Sequence, residues 1–214
     1  MQRKYFFFDI DGTLATGLTT IMPESAKRCI ARLRENGHFT ALATGRLQAS
    51  AAQVAARYGF THFVADGGYS LTLDGKIIEM RSLPAADCIS LIDRLVRQDI
   101  PWAVSVGNER LCLTPDERFL SVAPADYFPV KVDPLFDYHG MKRLYKVYMA
   151  CTPENEDQID FGGLPTVRYN RDVLFIEPTE KQQGIRRMLD ILGAADEDAI
   201  VFGDGTNVVC MFGQ

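Results

Sequence analysis

Two aspartates, Asp9 and Asp11, stand one residue apart at the end of the apolar run Tyr-Phe-Phe-Phe. A short apolar run of this kind, bounded by glycine, is typical of a strand buried on both faces, as in a parallel sheet covered by helices. Both carboxylates would then lie where the strand ends.

Other polar residues follow further predicted strands, namely Thr44, Asp66 and Asp204. Ligands of an open α/β sheet bind beyond the carboxyl ends of its strands, so we expect these side chains to converge with the first two aspartates. Carboxylates at close quarters repel each other, and hard oxygen ligands without His or Cys favour Mg²⁺ over zinc. Lys181, which leads a predicted helix, adds a positive charge. A metal, an acceptor carboxylate and a lysine together describe a phosphoryl-transfer site.

The elements that must position these residues alternate between strand and helix patterns. The segment Pro23–Gly37 has apolar residues at helical spacing, with proline near its start and glycine at its end. A buried strand ending at Thr44, an Ala-rich helix and a third strand before Asp66 follow, and a helix from Lys181 and the strand Ala-Ile-Val-Phe close the pattern. This order predicts a doubly wound, Rossmann-like parallel sheet with helices on both faces.

The pattern changes after Gly67, where hairpins replace crossovers. Asp74-Gly75 is a strong two-residue turn signal between two strand-like runs, and the segment from Trp102 reads as a second hairpin. Trp102 is expected in a core, Pro134–Lys142 in a surface loop, and Arg168 at a solvated strand edge rather than facing a substrate. We therefore predict an inserted α+β domain, with boundaries that place residues 1–81 and 178–214 in the core and 82–177 in the insertion.

Composition narrows the possible functions. The 214 residues are 47% hydrophobic and 24% charged, with a formal charge of −5 and no long Lys/Arg run, which argues against nucleic acid as a partner. Five scattered cysteines without a Cys-x-x-Cys pair indicate neither a disulfide framework nor a zinc site. Without an apolar run of about 20 residues or a signal-peptide pattern, we expect no membrane partner and a cytoplasmic location.

Four motifs occur in an order that resembles a known family. Phe-Asp-Ile-Asp-Gly-Thr-Leu, Ala-Thr-Gly-Arg, Glu-Lys-Gln-Gln-Gly-Ile and Val-Phe-Gly-Asp-Gly-Thr-Asn are similar to the motifs of the haloacid dehalogenase superfamily of phosphatases. The long insertion between the second and third motifs resembles the Cof-type, subfamily IIB sugar-phosphatase branch. The resemblance spans nearly the whole chain and implies a core bearing the chemistry and an inserted cap.

The resemblance also implies a role for each matching residue. Asp9 would be the nucleophile and Asp11 the general acid and base, with Thr44 and Lys181 contacting the transferring phosphoryl group. Mg²⁺ would be held by the carboxylates of Asp9 and Asp204 and by the backbone carbonyl of Asp11. The residues expected to shape or contact the substrate site are Gly12, Thr13, Gly45, Arg46 and Asn207.

The sequence departs from the family pattern in three places. Val208 stands where relatives have a metal-supporting aspartate, and loss of such a group commonly costs about 10- to 100-fold in metal affinity or activity. The chain ends at Gln214, before a further strand, helix and loop that the pattern leads us to expect. Asp66 replaces the usual asparagine, so its role stays open between turn former and substrate contact.

The resulting interpretation is an enzyme that hydrolyses small phosphorylated metabolites, with sugar phosphates implied by resemblance. Two alternatives stay open. A phosphomutase would use the same aspartate but pass the phosphoryl group to another hydroxyl, and a catalytically impaired binding or regulatory protein would explain Val208. The sequence does not specify the oligomeric state.

Overall fold

The structure is a computed structural model that describes residues 2–15, 21–123 and 129–204. The chain divides into two compact units. The first comprises the described residues of Met1–Met80 and Pro178–Gln214, and the second comprises those of Arg81–Glu177.

Strands and helices follow one another through both units. In chain order they are β1 (Tyr5–Phe8), α1 (Glu24–Glu35), β2 (Phe39–Ala43), α2 (Gln48–Arg57), β3 (Phe63–Ala65), β4 (Ser70–Leu73), β5 (Lys76–Met80), α3 (Ala85–Arg97), β6 (Trp102–Ser105), β7 (Cys112–Thr114), β8 (Val130–Val132), β9 (Lys146–Ala150), α4 (Pro153–Glu156), β10 (Thr166–Arg168), β11 (Val173–Ile176), α5 (Lys181–Leu192) and β12 (Ala199–Phe202).

The first unit contains a six-stranded sheet in the order β12-β1-β2-β3-β4-β5. Its first four strands are parallel, so their carboxyl ends share one edge of the sheet. The strands β4 and β5 form an antiparallel hairpin around Asp74 and Gly75, both at positive φ, which confirms the predicted turn.

Both faces of this sheet are covered, as the apolar strand sequences predict. Successive residues of a strand point to opposite faces. Phe8 packs with apolar residues of α1 and α2, whereas its neighbour Phe7 packs with Ile185 and Met188 of α5. The predicted doubly wound α/β core is therefore confirmed.

The second unit contains another six-stranded sheet, in the order β10-β11-β9-β6-β7-β8. Its pairs are antiparallel except β7 and β8. The helix α3 packs on one face, where Trp102 is buried as expected. Arg168 belongs to the edge strand β10 and forms an ion pair with Glu156 at 2.5 Å, in agreement with the strand-edge prediction.

The sequence analysis missed the short strand β8 and predicted β10 only as a strand edge at Arg168. Each has three residues, too few to show a periodic pattern, and each is defined by its partner strand rather than by its own sequence. The predicted loop over residues 134–142 contains neither helix nor strand. Within the described ranges, every helix is too short or too polar to cross a bilayer.

Candidate active site

Asp9 follows β1 directly, in the middle of the parallel part of the sheet. Its strand lies between β12 and β2, and the Asp9 backbone N–H donates to the Phe202 carbonyl at 2.8 Å. The residue is 5% exposed. The sheet topology thus fixes this carboxylate at the edge where the parallel strands end.

Lys181, the first residue of α5, supplies the charge that compensates Asp9. Its Nζ donates to Asp9 Oδ2 at 2.9 Å, and the Ile10 backbone N–H donates to Oδ1 at 2.8 Å. The lysine is 2% exposed. Burial raises the pKa of Asp9, while the charge and hydrogen bond of Lys181 act against that rise. The lysine therefore favours the ionised carboxylate in a place where water is scarce.

Asp11 has a different cationic partner. Arg46 Nε donates to Asp11 Oδ2 at 2.9 Å, and Nη2 donates to Oδ1 at 2.6 Å. This is the bidentate arrangement in which a planar guanidinium fixes both oxygens of a carboxylate. The sequence analysis expected Arg46 to contact a substrate, whereas the structure places its guanidinium on the second aspartate.

Thr44 lies one residue beyond β2, which ends at Ala43 rather than at Thr44 as predicted. It is buried, and its hydroxyl oxygen accepts a hydrogen bond from the Arg46 backbone N–H at 3.1 Å. Gly45 lies between them and is half-buried. Thr44 thus shapes the turn that directs Arg46 towards Asp11.

Gly12, Thr13 and Asp204 meet on the other side of the loop. The Thr13 hydroxyl donates to Asp204 Oδ1 at 3.1 Å. Gly12 has a φ of 78°, and a Cβ added there would lie 2.0 Å from Asp204 Oδ2. The position therefore requires glycine for its backbone conformation and for the approach of this carboxylate.

Asp66 serves the backbone around the site. It is buried with a φ of 49°, its N–H donates to the Arg46 carbonyl at 2.8 Å, and its Oδ2 accepts from the Gln48 N–H at 3.3 Å. Gln48 begins α2, so the carboxylate also lies at the positive end of that helix. Of the two roles left open by the sequence, this geometry favours turn former. Asn207 and Val208 lie outside the described residues.

The oxygen ligands predicted for Mg²⁺ fit that ion chemically. No group of three or more His, Cys, Asp or Glu side chains that could hold a metal occurs within residues 2–15, 21–123 and 129–204. The predicted site needs no such group, because it takes two carboxylates, from Asp9 and Asp204, and the backbone carbonyl of Asp11. Both carboxylates follow the paired strands β1 and β12, and hard oxygens suit Mg²⁺.

Comparison with known proteins decides the family. Residues 6–214 match the model of the haloacid dehalogenase-like hydrolases. The chain belongs to this family. The resemblance seen in the four motifs is thereby confirmed.

Individual relatives of this haloacid dehalogenase-like hydrolase match nearly the whole of this chain. The chain is 26% identical over 214 residues to "Putative phosphatase YkrA" of Bacillus subtilis (strain 168), covering 97% of this chain and 81% of the relative. A hypothetical protein from Geobacillus kaustophilus HTA426 superposes with a TM-score of 0.83 at 26% identity, over 98% of this chain and 83% of that one. A HAD subclass IIB sugar phosphatase shares the fold, with a TM-score of 0.76 at 19% identity over 97% and 83% of the two chains.

Sequence reasoning about this hydrolase missed Gln48. The residue is buried, its Nε2 donates to the Thr72 hydroxyl at 2.9 Å, and its Oε1 accepts from the Ser70 hydroxyl at 2.8 Å. It joins α2 to β4 beside Asp66. The available signal was a glutamine directly after the Thr-Gly-Arg-Leu motif, where an Ala-rich buried helix begins.

Proposed function

We propose that the chain is a Mg²⁺-dependent phosphatase that hydrolyses small phosphorylated metabolites through an aspartyl-phosphate on Asp9. The observation that carries this proposal is the buried contact between Asp9 and Lys181, with Asp11 two residues away and held separately by Arg46. The family and the phosphatase names of relatives support a phosphoric monoester hydrolase.

In the first step an Asp9 carboxylate oxygen attacks the phosphorus in line with the leaving group. The new oxygen–phosphorus bond forms as the bond to the substrate oxygen breaks, and Asp11 gives a proton to that departing oxygen. Lys181 already contacts Asp9 at 2.9 Å, so its charge lies where the transferring oxygens pass. Such a fixed charge stabilises the transition state without reorganisation.

In the second step water attacks the phosphorus of the aspartyl-phosphate. Asp11 takes the proton of this water, the Asp9 oxygen–phosphorus bond breaks, and phosphate leaves. The ester is thus hydrolysed in two displacements, and both aspartates return to their starting state.

The remaining residues of the site position the phosphoryl group. Thr44, at the end of β2, would donate its hydroxyl to a phosphoryl oxygen, and Gly12, Thr13 and Gly45 would allow the loops to approach it closely. Asn207 would add a polar contact. These roles come from the family resemblance, supported by the convergence of the two loops through Arg46 and Asp11.

Asp9, Asp204 and the Asp11 carbonyl would hold the Mg²⁺ ion. When bound, the ion offsets the negative charge of the phosphoryl group and of the carboxylates. Thr13 and Gly12 keep the Asp204 side chain in place by a hydrogen bond and by the absence of a Cβ.

We further propose that residues 82–177 form a cap that selects the substrate and excludes water. We propose sugar phosphates as the substrates, because one structural relative is a HAD subclass IIB sugar phosphatase. The cytoplasmic location stays a prediction.

Phosphate release from p-nitrophenyl phosphate and a panel of sugar phosphates, with and without Mg²⁺, tests the proposal. We expect Asp9→Asn to lower turnover by at least about 10³-fold, since the nucleophile is lost. Asp74→Asn is the matched control, because it makes the same change in the same unit at an exposed turn between β4 and β5.

The other outcomes separate the alternatives. Turnover that persists in Asp9→Asn or in EDTA overturns the proposed nucleophile or metal, respectively. Transfer of the phosphoryl group between sugar hydroxyls without phosphate release identifies a phosphomutase. A folded protein without turnover on the whole panel supports the impaired binding protein.

A further inference from the structure

Arg46 is a buried side chain near the proposed nucleophile, and neither step of the mechanism above assigns it a part. Its side chain is 7% exposed, and both oxygens of Asp11 accept from its guanidinium. The fork holds this deeply buried guanidinium in one geometry against the Asp11 carboxylate. Its place is therefore next to the acid and base rather than free in the substrate site.

The backbone of Arg46 is fixed as firmly as its side chain. Its N–H donates to the Thr44 hydroxyl at 3.1 Å, and its carbonyl accepts from the Asp66 N–H at 2.8 Å. Asp66 also holds the first turn of α2 through Gln48. The loop that carries Arg46 is thus held at the carboxyl ends of both β2 and β3.

The arginine leaves room for Asp11 to act. Each carboxylate oxygen can accept at two positions, and the fork uses one on each oxygen. The Asp11 side chain is 28% exposed, so its other edge faces accessible space. The fork thus fixes the orientation of the Asp11 carboxyl group, while the edge that faces away from Arg46 stays accessible to a leaving group.

We propose that Arg46 is a positioning residue that aims the Asp11 carboxyl group at the leaving-group oxygen. It thereby favours hydrolysis of substrates whose leaving group must receive a proton to depart. This inference rests on the proposed function. Alkoxides leave with a proton, whereas p-nitrophenolate leaves readily without one, so misplacing Asp11 harms alkyl phosphates far more than aryl phosphates. General acid catalysis of this kind contributes about 10²- to 10⁴-fold.

The test compares kcat/KM for p-nitrophenyl phosphate with kcat/KM for an alkyl phosphate such as a sugar phosphate. This parameter reports the steps up to formation of the aspartyl-phosphate and leaves out its hydrolysis. We expect Arg46→Met to lower the alkyl-to-aryl ratio by about 10- to 100-fold, as a part of the general-acid contribution. Arg46→Lys should restore little of the ratio, because an ammonium holds a single oxygen.

Two further variants give the controls. Asp11→Asn should lower the ratio at least as much as Arg46→Met, and the double variant should show no further fall, since both changes remove one function. Arg34→Met removes a partly buried arginine of α1 whose Nε donates to Thr40, and it should leave the ratio unchanged.

The outcomes are distinct. An equal fall for both substrates, a change confined to KM, or additive effects in the double variant overturns the role of Arg46 while the phosphatase itself stands. Absence of turnover of both substrates in the wild-type protein overturns the proposed function and this inference with it. If Arg46→Met does not fold, the ratio in Arg46→Lys decides.

Discussion

Among the described residues, each unit has a buried lysine that pairs with a buried carboxylate, and the two pairs differ in their surroundings. The Lys181–Asp9 pair in the first unit and the Lys146–Glu177 pair in the second have nearly equal exposure, with every side chain at or below 7%. Burial and charge pairing alone therefore do not distinguish a reactive site from a structural one.

The neighbours make the difference. Lys146 lies 5.3 Å from the centre of the Phe175 ring, and its strand partner Ser105 shares a hydrogen bond with the Tyr148 hydroxyl at 3.0 Å. Asp9 instead stands at the carboxyl end of a parallel strand, two residues from a second acid that has its own arginine. A cation and two separately held carboxylates at a strand edge can do chemistry, whereas a pair among rings and hydroxyls can fill a core.

The largest expected effect concerns the stability of the pair in the second unit. Lys146→Met should lower the free energy of unfolding by about 3 to 5 kcal/mol, because Glu177 is left as a buried charge without its lysine. The double variant Lys146→Met/Glu177→Leu should recover most of this loss, since no charge is left behind. Urea unfolding measures both, and a double variant less stable than the single one would contradict a purely structural pair.

The corresponding change in the first unit should act on catalysis. Lys181→Met is expected to lower kcat for p-nitrophenyl phosphate by about 10²- to 10³-fold, the effect of losing one preorganised stabilising group. Folded Lys146→Met should keep the wild-type kcat. Equal losses in the two variants would remove the functional distinction between the pairs.

A smaller effect is expected at Gly12, for which Gly37 provides a matched control. Both have a φ of 78°, but a Cβ at Gly37 meets no atom within 4 Å. Alanine at either position should cost about 1 to 2 kcal/mol of stability for the left-handed backbone. Gly12→Ala alone should also displace Asp204, so the Mg²⁺ concentration that gives half-maximal phosphate release should rise by about 10- to 100-fold. A Mg²⁺ titration that is identical for the two variants would argue against Asp204 as a ligand.

The smallest effect concerns thiols, whose exposure differs between Cys29 in the first unit and Cys88 and Cys112 in the second. Burial raises the pKa of Cys88 to about 12 and that of Cys112 to about 11, whereas Cys29 of α1 is exposed. Because the thiolate is the reactive form, iodoacetamide at pH 8 should modify Cys29 and spare the other two, as mapped by mass spectrometry.

The raised pKa values of Cys88 and Cys112 also mean that these thiols lose their protons at lower pH in the unfolded chain than in the folded one. The free energy of unfolding should therefore fall as the pH rises above about 9.

The sequence was sufficient for the core because its strands are continuous apolar runs and its helices have clear periodicity and ends. The same reasoning placed Asp9, Asp11 and Thr44 at strand ends and Lys181 at a helix start, where the structure has them. The contacts between side chains were harder to predict from the sequence. Arg46 was expected at the substrate, and its fork on Asp11 depends on a loop conformation that the letters of Ala-Thr-Gly-Arg do not specify.

Asp66 illustrates a second limit. Its sequence context, Ala-Asp-Gly-Gly, is compatible with a turn and with a substrate contact. Only the positive φ and the hydrogen bonds to Arg46 and Gln48 distinguish these roles. The hydrogen bonds join Asp66 to a separate segment, 18 residues away at Gln48.

The contact between Lys181 and Asp9 joins residues that are 172 positions apart. At about 5 to 20 residues per second, a ribosome takes on the order of 10 to 30 s to make the intervening chain. Synthesis up to Ile176 completes the described strands of the second sheet, before Lys181 and β12 have been made to partner Asp9 and β1. The inserted unit can thus complete its sheet before the unit that surrounds it in sequence, and Asp9 gains its lysine partner only after that sheet has been made.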